Sequence, residues 1–211
     1  GALISTEGTD ITDGATPVAF TGNAGETVNV PITIIGDQIV EENETFKVTL
    51  GAVTGASISA EQISRITTGA SASAIINNDD TATVTIADVS ITETDADQTL
   101  NFTATLDAPV EGGLTIAFDG TPLGASLVAA ETSDFTPVTI TSVTFDGAAA
   151  ETETIAYTIF GDDIVEDNET FLVTLGEVTG TSPEQIGDIT TGDTATGTIN
   201  NDDTATLSIS A

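Results

Sequence analysis

Thr99-Leu100-Asn101-Phe102-Thr103-Ala104-Thr105-Leu106 carries an apolar side chain at every second position and a polar one between. A period of two sends the two sets to opposite faces of a β-strand, so the stretch reads as a strand with one face buried. Ile155, Tyr157 and Ile159 repeat the pattern, as do Phe171, Val173 and Leu175. Nearer the start it returns in Val28, Val30, Ile32 and Ile34, and again in Phe46, Val48 and Leu50. Many short β-branched runs divided by Gly, Thr, Ser and Asp, with almost no helix, predict an all-β chain built as an antiparallel, immunoglobulin-like β-sandwich. The inward sets are its core. Across Val138, Ile140, Val143 and Phe145 the alternation slips by one residue near Ser142, which predicts a bulge or bend there.

The chain also repeats itself. Gly36-Asp37-Gln38-Ile39-Val40-Glu41-Glu42-Asn43-Glu44-Thr45-Phe46 returns, offset by 125 residues, as Gly161-Asp162-Asp163-Ile164-Val165-Glu166-Asp167-Asn168-Glu169-Thr170-Phe171. Asn77-Asn78-Asp79-Asp80-Thr81-Ala82-Thr83 returns as Asn200-Asn201-Asp202-Asp203-Thr204-Ala205-Thr206. A solenoid repeats every 20 to 50 residues or so, and this longer period marks whole domains in tandem, placed end to end. Glu7-Gly8-Thr9-Asp10-Ile11 falls opposite Glu131-Thr132-Ser133-Asp134-Phe135, so residues 81–124 have no counterpart in the first copy. Thr204 to Ser210 repeats Thr81 to Ala87. The expected organisation is a partial repeat at 1–80 lacking its first strands, a complete repeat at 81–203, and the opening strand of a further repeat at 204–211. It reads as a window onto a longer array.

Composition narrows the chemistry. The 34 acidic residues face only 2 basic ones, Lys47 and Arg65, for a formal charge of -32. Such a surface repels nucleic acid and anionic lipid and attracts cations. Hydrophobic residues make up 39% of the chain, enough for packed cores in spite of the charge. With no Cys there is no disulfide framework and no thiolate metal site. With no His, a His-containing triad is impossible and only oxygen ligands remain, the kind calcium prefers. No run of 18 or more apolar residues predicts membrane insertion, and no signal segment opens the chain.

The complete copy resembles a Calx-beta domain, the module of sodium/calcium exchangers and of many large bacterial surface proteins. The resemblance lies in Val89-Ser90-Ile91-Thr92-Glu93, in Ser133-Asp134-Phe135, in Asp162 to Phe171 and in Ile199-Asn200-Asn201-Asp202-Asp203. It covers residues 81–203 and, for the C-terminal two-thirds of the module, residues 1–80. What it implies is a seven-stranded sandwich that binds Ca2+ through the loops at one end. Carried over by position, the ligands would be Glu93, Asp134, Asp162, Glu166, Glu169, Asp202 and Asp203, and in the partial copy Asp10, Asp37, Glu41, Glu44, Asp79 and Asp80. Two departures stand out. Asn201 and Asn78 occupy places where exchanger domains carry a third aspartate, which lowers the ion count or the affinity. The first copy has no counterpart of Glu93.

Seven carboxylates brought to one end of a sandwich would repel one another by about 1 to 4 kcal/mol per close pair, so they need a counterion. Calcium takes 6 to 8 oxygens, so this set suits about two ions, whereas magnesium prefers compact octahedral shells that keep their waters. Acidic runs are more often a solvated face. That reading is adopted for Asp88, Asp107, Glu111, Asp119, Glu151, Glu153 and Glu177, and reversed for the Asp162 to Glu169 loop because its acidic spacing recurs between copies. A carboxylate pair also serves glycosidases, but aromatics are 4% of the chain and Trp is absent, so no enzyme is expected.

The function expected is a calcium-rigidified structural module of a long extracellular, bacterial surface protein, such as an adhesin stalk or filament. A regulatory calcium-sensor pair is the first alternative and a carbohydrate-binding module the second. The expected partners are calcium ions and neighbouring repeats of the same protein. The first copy would be completed by upstream sequence or, by strand addition from Thr204 to Ser210, by another molecule.

Overall fold

A computed structural model of the chain describes residues 2–4, 10–12, 17–122, 134–136 and 141–210. They fall into two compact units, one of Gly1–Asp37 with Glu42–Asn78, the other of Gln38–Glu41 with Asp79–Ala211. Unit 1 contains β1 (Ala2–Ile4), β2 (Ile11–Thr12), β3 (Thr33–Ile34), β4 (Glu44–Thr49), the short helix α1 (Ala60–Ile63) and β5 (Ser71–Ile76). They form a three-stranded sheet in the order β1-β4-β5 and a two-stranded pair β2-β3.

Unit 2 contains β6 (Ala82–Ile86), β7 (Val89–Thr92), β8 (Gln98–Leu106), β9 (Leu114–Pro122), β10 (Phe135–Thr136), β11 (Ser142–Phe145), β12 (Glu151–Ile159), β13 (Glu169–Thr179), helix α2 (Pro183–Asp188), β14 (Ile189–Thr190) and β15 (Thr194–Asn200). Two five-stranded sheets, β10-β12-β8-β6-β14 and β11-β9-β13-β15-β7, face each other as a β-sandwich. β6 and β7 are one run of chain that leaves the first sheet for the second at Ala87-Asp88. Two carboxylates hold the crossing: Asp193 accepts the Ile86 N–H at 3.0 Å and Asp88 the Thr196 N–H at 2.7 Å. Counted as one strand, with the two-residue β10 and β14 set aside, they leave seven strands. Most pairs are antiparallel, but β15–β7 and β14–β6 are parallel, because the crossing strand must meet both sheets.

The alternation that opens the sequence becomes the core. Leu100, Phe102, Ala104 and Leu106 of β8 are all buried, and β12 lies beside them in register, Phe102 opposite Ile155 and Leu100 opposite Tyr157. Phe171 reaches across from the second sheet, stacking on Phe135 at 4.5 Å and meeting Phe102 edge-on at 5.7 Å between ring centroids. Gly197 leaves room for this cluster: a Cβ there would lie 2.6 Å from the Phe171 ring. Replacing Phe171 with Ala is expected to cost about 3 to 5 kcal/mol, read by denaturant unfolding, since nothing small can collapse into a space lined by three other rings.

Unit 1 departs from expectation. Of its predicted core residues only Phe46 is buried, while Val28, Ile32 and Val48 are half-buried and Val30, Ile34 and Leu50 are exposed. The reason is the missing layer: among the described residues unit 1 has no counterpart of β6 or β8, so its apolar faces lack the opposing strands that bury those of unit 2. Thr204 to Ser210 is not paired into either sheet, and Leu207 and Ile209 are fully exposed. The register shift expected near Ser142 falls partly outside the described residues, which omit Val138 and Ile140; a separate irregularity lies in β13, between Leu175 and Val178.

Helix is as scarce as expected, and two acids read as solvated are corrected. The sequence holds two capping boxes, Ser59-Ala60-Glu61-Gln62 and Ser182-Pro183-Glu184-Gln185, and each starts a single helical turn or little more. Glu151 is not a merely solvated acid. Its carboxylate accepts the backbone N–H groups of Asp146, Gly147 and Ala148 at 2.7, 2.9 and 3.0 Å, and these bonds hold its pKa below the ordinary range. Glu26 closes the equivalent turn in unit 1 on Thr21, Gly22 and Asn23. Asp107 likewise accepts the Thr83 N–H at 2.6 Å. Glu151→Gln is therefore expected to cost about 1 to 2 kcal/mol and Glu153→Gln less than about 0.5 kcal/mol in denaturant titrations. Equal effects would return Glu151 to the solvated class.

Candidate metal centre

Strand pairing brings four separated acidic segments to one end of unit 2. Parallel pairing sets Thr92 beside Asn200, and antiparallel pairing sets Glu169 beside Ile199, so the end of β7, the start of β13 and the end of β15 meet. β10 pairs with the end of β12, Phe135 opposite Ile159, and the Phe160 N–H donates to the Asp134 carbonyl at 2.9 Å. Glu93, Asp134, the 162–166 loop, Glu169, Asp202 and Asp203 are the residues that flank these strand ends.

The loops are fastened by amides. Asn168 donates from Nδ2 to Asn200 Oδ1 at 3.1 Å and accepts the Asn201 N–H at 3.2 Å. Asn43 accepts the Asn78 N–H in the same way in unit 1, at 2.8 Å. Asn200 donates to the Ile91 carbonyl at 3.0 Å, tying β15 to β7. Asn201, read from sequence as a lost carboxylate, folds the turn: its Oδ1 accepts the Asp203 N–H and its Nδ2 donates to the Asp203 carbonyl, both at 3.3 Å. Gly161 opens the acidic loop where a Cβ would overlap the Thr94 carbonyl.

Burial divides the carboxylates. Glu93 is 4%, Asp134 7% and Glu169 9% exposed, values that water-solvated carboxylates do not show. Glu166 and Asp203 are half-buried, and Asp162 and Asp202 exposed. Burial, then a hydrogen bond and charge from Asp134, then Glu166 and Glu93, raise the Glu169 pKa to about 8. Glu93 is raised by burial first and then by Glu166, Asp162, Asp203 and Asp134. Asp203 is raised too, by burial first and then by Asp202, so Glu93, Glu169 and Asp203 all feel the acids around them.

Two members were not foreseen. Carboxylate oxygens of Glu93, Asp202 and Asp203 lie within 4.8 Å of one another, and so do those of Asp95, Asp163 and Asp203. Asp163 is replaced by Gln38 in the first copy, so a comparison of copies passes over it, and Asp95 lies in the stretch the first copy lacks. In the partial copy, Asp10 is buried and has a carboxylate oxygen within 4.8 Å of one of Asp37; both belong to unit 1 with Glu44. Glu41, Asp79 and Asp80 belong to unit 2, where Asp79 and Asp80 line a small cavity with Asp107.

The donor set fits a hard cation. Two ligands on opposite sides of a calcium ion are about 5 Å apart, twice the Ca–O distance, and both triads fall within that span. Glu93 Oε1 and Asp203 Oδ2 are buried without a hydrogen-bond partner. Unit 2 contains no Lys, Arg or His to neutralise them, because Lys47 and Arg65 both lie in unit 1.

An acidic-ended β-sandwich is thus what the fold and site of unit 2 define. The sequence matches the model of the Calx-beta domain over residues 4–80 and 124–203, and the chain belongs to that family. No curated protein matches it in sequence. Among solved structures it is similar to an apo-form Calx CBD1 domain, at 12% identity and a TM-score of 0.44, over 59% of this chain and 100% of that one. It is also similar to CBD12 from CALX1.2, at 13% identity and a TM-score of 0.45, over 57% and 46% of the two chains, and to the Calx CBD2 domain, at 13% and 0.43, over 57% and 86%.

Proposed function

We propose that unit 2 binds calcium at its acidic end and serves as a calcium-rigidified structural module of a long extracellular surface protein, an adhesin stalk or filament. The observation that carries the calcium reading is the set of three buried carboxylates, Glu93, Asp134 and Glu169, in a unit without a single basic side chain. An external cation is the counterion left to them. Glu93, Asp202 and Asp203 would hold one ion, and Asp95, Asp163 and Asp203 a second, with Asp203 shared. Asp134, Asp162, Glu166 and Glu169 would complete the oxygen shells. Asp10, Asp37, Glu41, Glu44, Asp79 and Asp80 are proposed for the same role in the first repeat.

The structural role is supported by the repetition and by the short joint between repeats: β5 ends at Ile76 and β6 starts at Ala82. Among the described residues no helix is long and apolar enough to cross a membrane. Affinity tests the role. A stalk in an external medium functions with dissociation constants of about 10⁻⁴ to 10⁻³ M, whereas a cytosolic sensor needs about 10⁻⁷ to 10⁻⁵ M. Calorimetric titration in the millimolar range is the expected result, submicromolar binding would favour the sensor, and no binding would overturn the calcium reading.

A further inference from the structure

The repeated loop carries the same apolar pair in both copies, Ile39-Val40 and Ile164-Val165, but the two pairs have different surroundings. Residues 38–41 form part of unit 2, and there Val40 is fully buried. Val40 pairs with Val110 in a parallel bridge. Its N–H donates to the Pro109 carbonyl at 3.0 Å, and its own carbonyl accepts the Glu111 N–H at 3.0 Å and Gln185 Nε2 at 3.1 Å. Gln185 is itself buried, is positioned by the capping box of α2, and also donates to the Glu111 carbonyl at 2.9 Å. The seat is made of main chain, one amide and apolar contact. A neutral seat suits a chain of charge -32, in which a carboxylate placed there would repel its neighbours.

In the second copy Ile164 is 58% and Val165 52% exposed. A second pair of apolar residues also stands open: Leu207 and Ile209 match Val84 and Ile86, which are buried in unit 2. We infer that Ile164–Val165 is a docking peg for a further repeat of this same kind, which holds Val165 by the counterparts of Pro109, Val110, Glu111 and Gln185 as unit 2 holds Val40. The exposed pair is an apolar surface with one occupant, and the occupant is a copy of residues 81–203. The inference rests on the array half of the proposed function and not on calcium, since no carboxylate takes part in the seat.

The test is amide hydrogen exchange on a chain in which residues 1–203 are followed by a second copy of residues 81–203, set against the 211-residue chain. The expected result is that the Val165 amide exchanges at least about 100-fold more slowly in the longer chain, matching the Val40 amide in both. If the appended copy folds, shown by protection of its Phe102 counterpart, and Val165 exchange is unchanged, the inference fails and the array reading survives. If the appended copy does not fold at that joint, both fail. A second measurement uses the chain as it stands: Gln38→Asp with Glu42→Asp gives the first loop the wording of the second. Retained slow exchange at Val40 and Glu111 is expected, and its loss would mean that the second loop cannot fit the seat.

Discussion

Unit 2 is expected to melt roughly 10 °C higher in calcium than in chelator, because an ion that binds only the folded state contributes about 2.7 kcal/mol at a hundredfold excess over its dissociation constant. Glu166→Gln with Glu169→Gln should remove most of that gain. The chelated protein is expected to lose stability as pH rises through the range in which Glu169 titrates. Folding raises the Glu169 pKa to about 8 from an ordinary 4.5, so between those values the folded state holds more protons than the unfolded one. Stability is then fully present below about pH 4.5 and declines as pH rises through 8, by a few kcal/mol on an order-of-magnitude basis. Glu93 pulls the same way. Glu169→Gln should accordingly stabilise the chelated protein at pH 8 while weakening calcium binding, and calcium uptake at pH 7 should release protons. Melting curves that do not respond to calcium, chelator or pH would overturn the metal centre. A solvated acidic surface predicts no stabilisation by an amide.

Gly161→Ala should cripple the same end of the molecule, and Gly36→Ala should not. The two glycines hold the same place in the two copies, and neither needs a left-handed backbone. Gly161 lies so close to the chain that a Cβ would overlap the Thr94 carbonyl and crowd the Ala96 N–H at 2.7 Å, both main-chain atoms that cannot rotate away. Gly36 has nothing within 4 Å of an added Cβ. The first substitution must separate the 161–166 loop from the Thr94 to Ala96 turn, which follows Glu93 and includes Asp95. We expect it to cost about 1 to 3 kcal/mol in stability and a further loss in calcium affinity, and the second to change stability by less than about 0.5 kcal/mol. Chemical denaturation and calorimetry on both variants check this. Equal effects would show that the loop does not depend on that approach.

The sequence by itself determined the strands of unit 2, since alternation such as Leu100-Phe102-Ala104-Leu106 has one low-energy disposition, apolar side inward. It also showed which acids recur between the copies, six of the seven proposed ligands of unit 2, Glu93 being the exception. It could not decide burial in unit 1, where the same alternation at Val30, Ile34 and Leu50 stays exposed, because burial requires an opposing layer and alternation says nothing about one. Nor could it separate Asn201 the turn-former from Asn201 the missing ligand, or Glu151 the cap from Glu153 its neighbour. Those distinctions depend on which backbone N–H groups point at a side chain. Asp95 enters the cluster because β7 runs parallel to β15, and Asp163 because β13 starts beside the end of β15, so that their flanking loops reach the same end of unit 2. Val40 and Val165 are the same residue in the same local text, and only the tertiary structure buries one and leaves the other open, because burial belongs to the surface that meets a side chain and not to the side chain itself.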